Sequence, residues 1–160
     1  MSLSILLPSS GRSTLQRLVV SVVPQLAPGD ELLIDLGPGG CWGYPARERL
    51  TQKATGDHLL WNDDDDVYTD DALELVRGGI AQDPAAVHLF SMESWWGELL
   101  WREQTIFEGN VAAQMVVMPR ELAQACSWGN EYAADCAYIE EAATLAPVVW
   151  HREVIVKCRP

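Results

Sequence analysis

From its first residues the chain alternates short apolar runs with loops and stretches of helical spacing, and this alternation limits the folds open to it. "LSILLP", residues 3 to 8, is an apolar run closed by proline. "SSGRSTLQRLVVSVVPQL" then offers Ser and Gly before apolar residues at Leu15, Leu18, Val19 and Val22, with Ser13 a candidate N-cap. "GDELLIDLGPGG" gives a second apolar strand over residues 31 to 35 that runs into a Gly/Pro loop. A helix is expected over residues 46 to 54, and "TGDHLLWN" reads as a turn and a third strand. "TDDALELVRGGIAQ" carries Thr69 as N-cap, acids in the first turn and an apolar stripe at Leu73, Val76 and Ile80. "AAVHLFSM" is a fourth strand. Such alternation predicts an α/β domain with a largely parallel sheet, whose ligands bind outside the carboxyl ends of the strands. Pro8, Asp35 and the run Asp63, Asp64, Asp65, Asp66 all fall on that edge.

The second half is less regular. "ELLWREQTIFEGN" and "AAQMVVMP" read as strands around Gly109 and Asn110, "PRELAQA" and "YAADCAYIEEAATL" as helices, and "VVWHREVIVKC" as closing strand structure. A length of 160 residues suits one domain, expected to span 1–160. No apolar run approaches the roughly 18 residues of a membrane span, and the start lacks the basic region of a secretory signal, so a cytoplasmic chain is expected. Cys41, Cys126, Cys136 and Cys158 form no C-x-x-C pair and are read as reduced core thiols. A net charge of −12 argues against nucleic acid as a partner and favours a divalent cation.

Four adjacent carboxylates repel one another, so a cation, hydrogen-bond donors or solvent must offset the charge. One reading is a solvated loop that also caps the next helix. Against it, Asp63 and Asp64 end a buried-type strand, where charge is costly. An EF-hand counted from Asp63 fails at Val67 and Tyr68, which replace a required ligand and glycine. A D-x-D-x-T phosphatase pattern fails at Val67, and "PSSGR" supplies neither a P-loop nor the Gly-rich loop of a nucleotidyltransferase. What remains is an Asp-x-Asp pair that holds Mg²⁺ or Mn²⁺ against a nucleotide diphosphate.

"ARERLTQKATGDHLLWNDDDDVYTDDAL" resembles the A-R-N…F-L-D-x-D-D…L segment of family 2 glycosyltransferases with the GT-A fold, and "SILLPSSGRSTLQRLVVSVV" resembles that family's opening strand, loop and helix. The resemblance covers roughly the first half of the chain, in order. It implies a GT-A, Rossmann-like α/β fold with a mixed C-terminal part, a UDP- or GDP-linked sugar donor, Mn²⁺ or Mg²⁺, and inverting transfer to an unknown acceptor. Pro8, Ser9, Ser10, Gly11 and Arg12 would touch the nucleotide and Asp35 the base, although "DLGPGG" departs from the family's D-D-G-S after one residue. Arg47 matches the family arginine and would face the nucleotide, while Glu48 and Leu50 replace its Asn and Gly.

In the same correspondence Asp65 and Asp63 hold the metal, Asp63 or Asp64 lies near the ribose, and Asp66 caps the following helix. "EGNVAAQMVVMPRELA" resembles the family's G-G-N strand, which places Gly109 and Asn110 near the donor sugar. "WGNEYAADCAYI" matches the segment that carries the base. Asp135 fits that role, with Glu131 a rival because Ala134 replaces the preceding acid. A late histidine on the metal is expected at His151. Trp95 and Trp96, in "SWWGELLW", are candidates to stack on the acceptor. With so short a chain, acceptor recognition is expected to draw on self-association or a partner protein. The departures from the family pattern leave a second reading open, a catalytically silent nucleotide-sugar or metal-binding module.

Overall fold

The computed structural model describes residues 1–37 and 43–159; Cys41 and Trp42 lie outside the described residues. Strand β1 (Leu3–Ser9) is buried along its whole length, as expected of an apolar run without polar alternation. It pairs in parallel with β2 (Glu31–Leu36) on one side and β3 (His58–Trp61) on the other. Ser4, polar and buried in this run, donates to Glu31 Oε1 at 2.6 Å and accepts from the Gly56 N–H at 2.9 Å, so its hydroxyl is satisfied. The register sets Pro8 opposite Asp35. Helix α1 (Leu15–Val22) links β1 to β2 and buries Leu18 and Val22. Helix α2 (Tyr44–Lys53) precedes β3.

Beyond β3 the sheet becomes mixed. Strand β7 (Val116–Pro119) inserts antiparallel between β3 and β5 (Val87–Glu93). Strand β8 (Val148–Lys157) lies parallel to β5, and the short β4 (Val67–Tyr68) closes that edge. The full order is β2-β1-β3-β7-β5-β8-β4, with β6 (Leu99–Leu100) on the end of β5. Only Leu99 and Leu100 of the strand expected over "ELLWREQTIFEGN" are extended in the sheet; the residues after them form an irregular loop.

Helix α3 (Ala72–Gln82) buries Leu73, Val76 and Ile80, the stripe read from the sequence. Each such side chain contributes roughly 1.5–3 kcal/mol on burial. A Cβ at Gly79 would lie 2.7 Å from Phe90 Cζ and 3.0 Å from His151 Cε1, so glycine permits close approach of α3 to the sheet. Thr69 does not cap this helix. Its hydroxyl donates to the Val154 carbonyl at 3.1 Å, and α3 begins after Asp71 with no side-chain cap. Helices α4 (Arg120–Ala125) and α5 (Ala134–Leu145) follow β7. No helix among the described residues is long and apolar enough to cross a membrane.

Candidate active site

The loops after β1 and β3, the start of α5 and the residues following β8 enclose a cavity of about 710 Å³, within the range of small-molecule sites. Its wall includes Pro8, Ser9, Ser10, Arg12, Arg47, all four consecutive aspartates, Gly109 and Asp135.

The aspartates are not equivalent. Asp64 is buried and structural: it accepts from Ser9 Oγ at 2.6 Å and the Ser10 N–H at 3.2 Å, with Arg12 Nη1 at 3.4 Å. This ties the β3 end to the loop after β1 and commits both Asp64 oxygens. Ser9 Oγ accepts in turn from the Gly11 N–H at 2.9 Å, and Gly11 adopts a φ of 79°, which glycine takes without steric cost. Gly11 shapes the loop and does not line the cavity.

Asp63, Asp65 and Asp66 each offer a carboxylate oxygen within 4.8 Å of the others. Asp63 pairs with Arg47 and accepts from Gln114 Nε2 at 2.8 Å. Asp65 accepts from Arg12 Nη1 at 2.9 Å and Arg159 Nε at 3.0 Å. Asp66, only 3% exposed, accepts from Gln114 Nε2 at 3.0 Å and the Arg159 N–H at 3.0 Å. Asp66 therefore faces the cluster and does not cap α3. Burial first, then the charge of Asp63, lifts its pKa to about 6. Burial also raises Asp63, with Arg47 opposing and the charges of Asp65, Asp135 and Asp64 adding to the rise. Three crowded, partly desolvated carboxylates form an all-oxygen donor set suited to a hard divalent cation.

Arg47 is held rigidly. Its guanidinium lies over Tyr44 and Trp128, at 5.4 and 5.5 Å from the ring centroids. Trp128 stacks on Tyr138 of α5 at 4.0 Å, and both rings meet Trp61 of β3 edge-on. Asp135 lies in the first turn of α5, where the helix dipole favours negative charge. Its Oδ1 accepts from the Cys136 N–H at 2.9 Å. The preceding Ala133 holds a φ of 63°, a rare conformation for a residue with a Cβ. Glu131, the rival base, does not line the cavity, whereas Tyr132 does.

Other expected residues lie elsewhere. Asp35 sits beside the cavity in a bidentate pair with Arg49, at 2.8 and 3.1 Å, which holds its carboxyl below the usual range. Asn110 is fully buried and organises the loop: it accepts from the Arg102 N–H at 2.8 Å and donates to the Glu103 and Thr105 carbonyls at 2.8 and 2.6 Å. His151 is not at the carboxylates. Its Nε2 lies 2.9 Å from His88 Nδ1, its ring stacks on Phe90, and burial lowers its pKa. The reason is length: the chain reaches the cavity only at Cys158 and Arg159, and seven residues of strand span roughly 20 Å. Trp95 and Trp96 do line the cavity, 66% and 48% exposed, with their rings edge to face. Gln114, Cys158, Arg159 and the cluster role of Asp66 were not legible in the motifs. The lone signal for Gln114 was its place four residues after Asn110.

No protein-family model and no curated protein matches the sequence. Solved structures do match. The whole chain superposes on the crystal structure of S. aureus TarS with a TM-score of 0.82 at 15% identity, over 37% of that chain. TarS 1-349 in complex with UDP matches with a TM-score of 0.75 at 13% identity, and the same fragment with UDP-GlcNAc with 0.77 at 13%. Each covers 99% of this chain. The fold is that of a GT-A glycosyltransferase. In this fold β7 separates β3 from β5, and the Asp63-Asp65-Asp66 cluster is consistent with the D-x-D position. The chain spans only 37% of full TarS and 58–60% of the fragments.

Proposed function

We propose that this domain is a metal-dependent glycosyltransferase that takes a UDP-linked sugar and transfers it with inversion to an acceptor hydroxyl. The observation that carries the proposal is the carboxylate cluster and Asp135 lining one cavity of nucleotide-sugar size, close enough that the charge of Asp135 raises the pKa of Asp63. UDP is favoured over GDP because the matched TarS fragments hold UDP and UDP-GlcNAc.

Asp65, with Asp63 and Asp66, would hold Mn²⁺ or Mg²⁺, which when bound supplies neutralisation of the diphosphate leaving group. Ser10 and Arg12 border the nucleotide side. Arg47, set against the Tyr44 and Trp128 rings and paired with Asp63, keeps that carboxylate in register. Asp135 takes the proton of the attacking hydroxyl, the role inversion requires of one positioned base. The exposed Trp95 and Trp96 supply an apolar face for the acceptor. The domain is proposed to cover the whole of 1–160 and to work in the cytoplasm; Cys126 and Cys136 are free thiols lifted to about 11 by burial, and hence unreactive.

Calorimetry with UDP and Mn²⁺, followed by a UDP-sugar hydrolysis assay, tests the reading. Metal-dependent UDP binding that Asp65→Ala abolishes, with turnover that Asp135→Asn abolishes, supports it; no metal-dependent binding refutes it. Ala134, buried where the family carries an acid, favours the second reading, a silent binding module, which predicts binding without turnover.

A further inference from the structure

Arg159 belongs to none of the sequence motifs, yet it makes two contacts with the carboxylate cluster. Strand β8 ends at Lys157, and the Cys158 N–H donates to the Glu93 carbonyl at 2.8 Å, which anchors the strand end to β5. Arg159 then adopts a φ of 47° and donates its backbone N–H to Asp66 Oδ1 at 3.0 Å. Its side chain extends along the cavity wall and places Nε 3.0 Å from Asp65 Oδ2. From the opposite wall, Arg12 brings Nη1 to 2.9 Å from the same oxygen. Two guanidiniums thus converge on one carboxylate oxygen, although both side chains are well exposed, 55% for Arg12 and 63% for Arg159.

Stability does not account for this arrangement. Exposed ion pairs contribute little, and ordering two long side chains at one oxygen costs rotamer entropy. The position is informative, because the shared oxygen belongs to one of the three carboxylates grouped closely enough to bind a cation together. A cation and the two guanidiniums compete for it. Once displaced, both arginines stand at the cavity mouth with several N–H donors each, a geometry that matches phosphate oxygens.

We propose that Arg159 and Arg12 form a diphosphate clamp that the ligand-free protein parks on Asp65. When Asp65 takes a cation, the guanidiniums leave it and donate to the two phosphates of the nucleotide. This rests on the function proposed above and adds to it a binding residue contributed by the far end of β8. It makes the carboxylate cluster self-compensated without ligand, and it couples metal and nucleotide binding in both directions.

The test compares wild type, Arg159→Gln and Arg159→Lys by calorimetry with three probes: Mn²⁺ alone, UDP with saturating Mn²⁺, and uridine with saturating Mn²⁺. Thermal melts serve as the folding check, since the backbone bond to Asp66 survives both substitutions. For Arg159→Gln, UDP affinity is expected to fall about tenfold, the scale of one charge-assisted hydrogen bond. Uridine affinity should not change, and Mn²⁺ alone should bind several-fold more tightly because a competitor is gone. Arg159→Lys should recover part of the UDP affinity. Unchanged UDP affinity, a parallel loss for uridine, or weaker Mn²⁺ binding in Arg159→Gln each overturns the clamp while leaving the glycosyltransferase reading intact. Failure of wild type to bind UDP with Mn²⁺ overturns both.

Discussion

Replacing Asp66 by Asn should stabilise the ligand-free protein. Asp66 is shifted from an ordinary 3.8 to about 6, mainly by burial, so above pH 6 its charge costs the folded state roughly 3 kcal/mol relative to the unfolded chain. Asn removes the charge while its carbonyl oxygen still accepts from Gln114 or the Arg159 N–H, so a net gain of about 1–3 kcal/mol is expected. For a domain of this size that is roughly 3–10 °C in Tm. The sign follows from proton uptake. Between about pH 4 and 6 the folded protein retains the Asp66 proton that the unfolded chain has released, so this contribution is full below that window and lost as pH rises through 6. The difference in Tm between Asp66→Asn and wild type, measured in chelator from pH 4 to pH 8, should therefore grow with pH and level off above 6. Saturating Mn²⁺ should narrow it by stabilising wild type more than the variant. A variant that melts at or below wild type at pH 8 in chelator would refute the view of Asp66 as an under-compensated carboxylate.

Three further outcomes are expected. Gly56→Ala should destabilise by about 1–3 kcal/mol in denaturant titration, because its Cβ would sit 2.8 Å from the Leu3 and Ser4 backbone, whereas Gly78→Ala, open on all sides, should stabilise by up to about 1 kcal/mol. His88 and His151 are both lowered by burial; the folded state holds them neutral, so the stability they contribute is present above pH 6.5 and lost as pH falls below it. Urea unfolding in the Asp66→Asn background should show that acid loss, and imidazole signals should show both rings titrating below the ordinary 6.5. Trp95→Ala with Trp96→Ala should raise acceptor KM without altering UDP affinity by calorimetry; unchanged transfer kinetics would remove the pair from acceptor binding.

The legible parts of the fold were those in which neighbouring residues decide the outcome. The unbroken apolar run of β1, the stripe of α3 and the helix within "YAADCAYIEEAATL" follow from local spacing, although that helix starts only at Ala134, and the parallel β2-β1-β3 core follows from their order. The antiparallel insertion of β7 depends on pairing across more than 50 residues, and nothing local to "MVVMP" sets its neighbours. Two-residue strands such as β4 and β6 are too short for a periodic signal. In the site, acid-rich sequence marked the cluster correctly but could not divide the labour within it. Whether an aspartate anchors a loop, as Asp64 does, or joins the cluster, as Asp66 does, depends on partners as distant as Ser9 and Arg159. His151 follows "APVVW", which reads as a strand that ends there; β8 instead runs on to Lys157, which leaves His151 near its start, against His88 and Phe90 beneath Gly79 of α3.

The stack that runs from Tyr138 through Trp128 to Arg47 joins the helix that carries Asp135 to the aspartates that follow β3, through packed core. Asp135 and the carboxylate cluster are therefore spaced by interior side chains, while the rim around Trp95, Trp96 and Tyr132 is left outside that frame. For engineering, this separates the tasks. Rim residues are open to exchange with that frame left standing, whereas even a conservative change at Trp128 would disturb the distance between Asp135 and the carboxylate cluster.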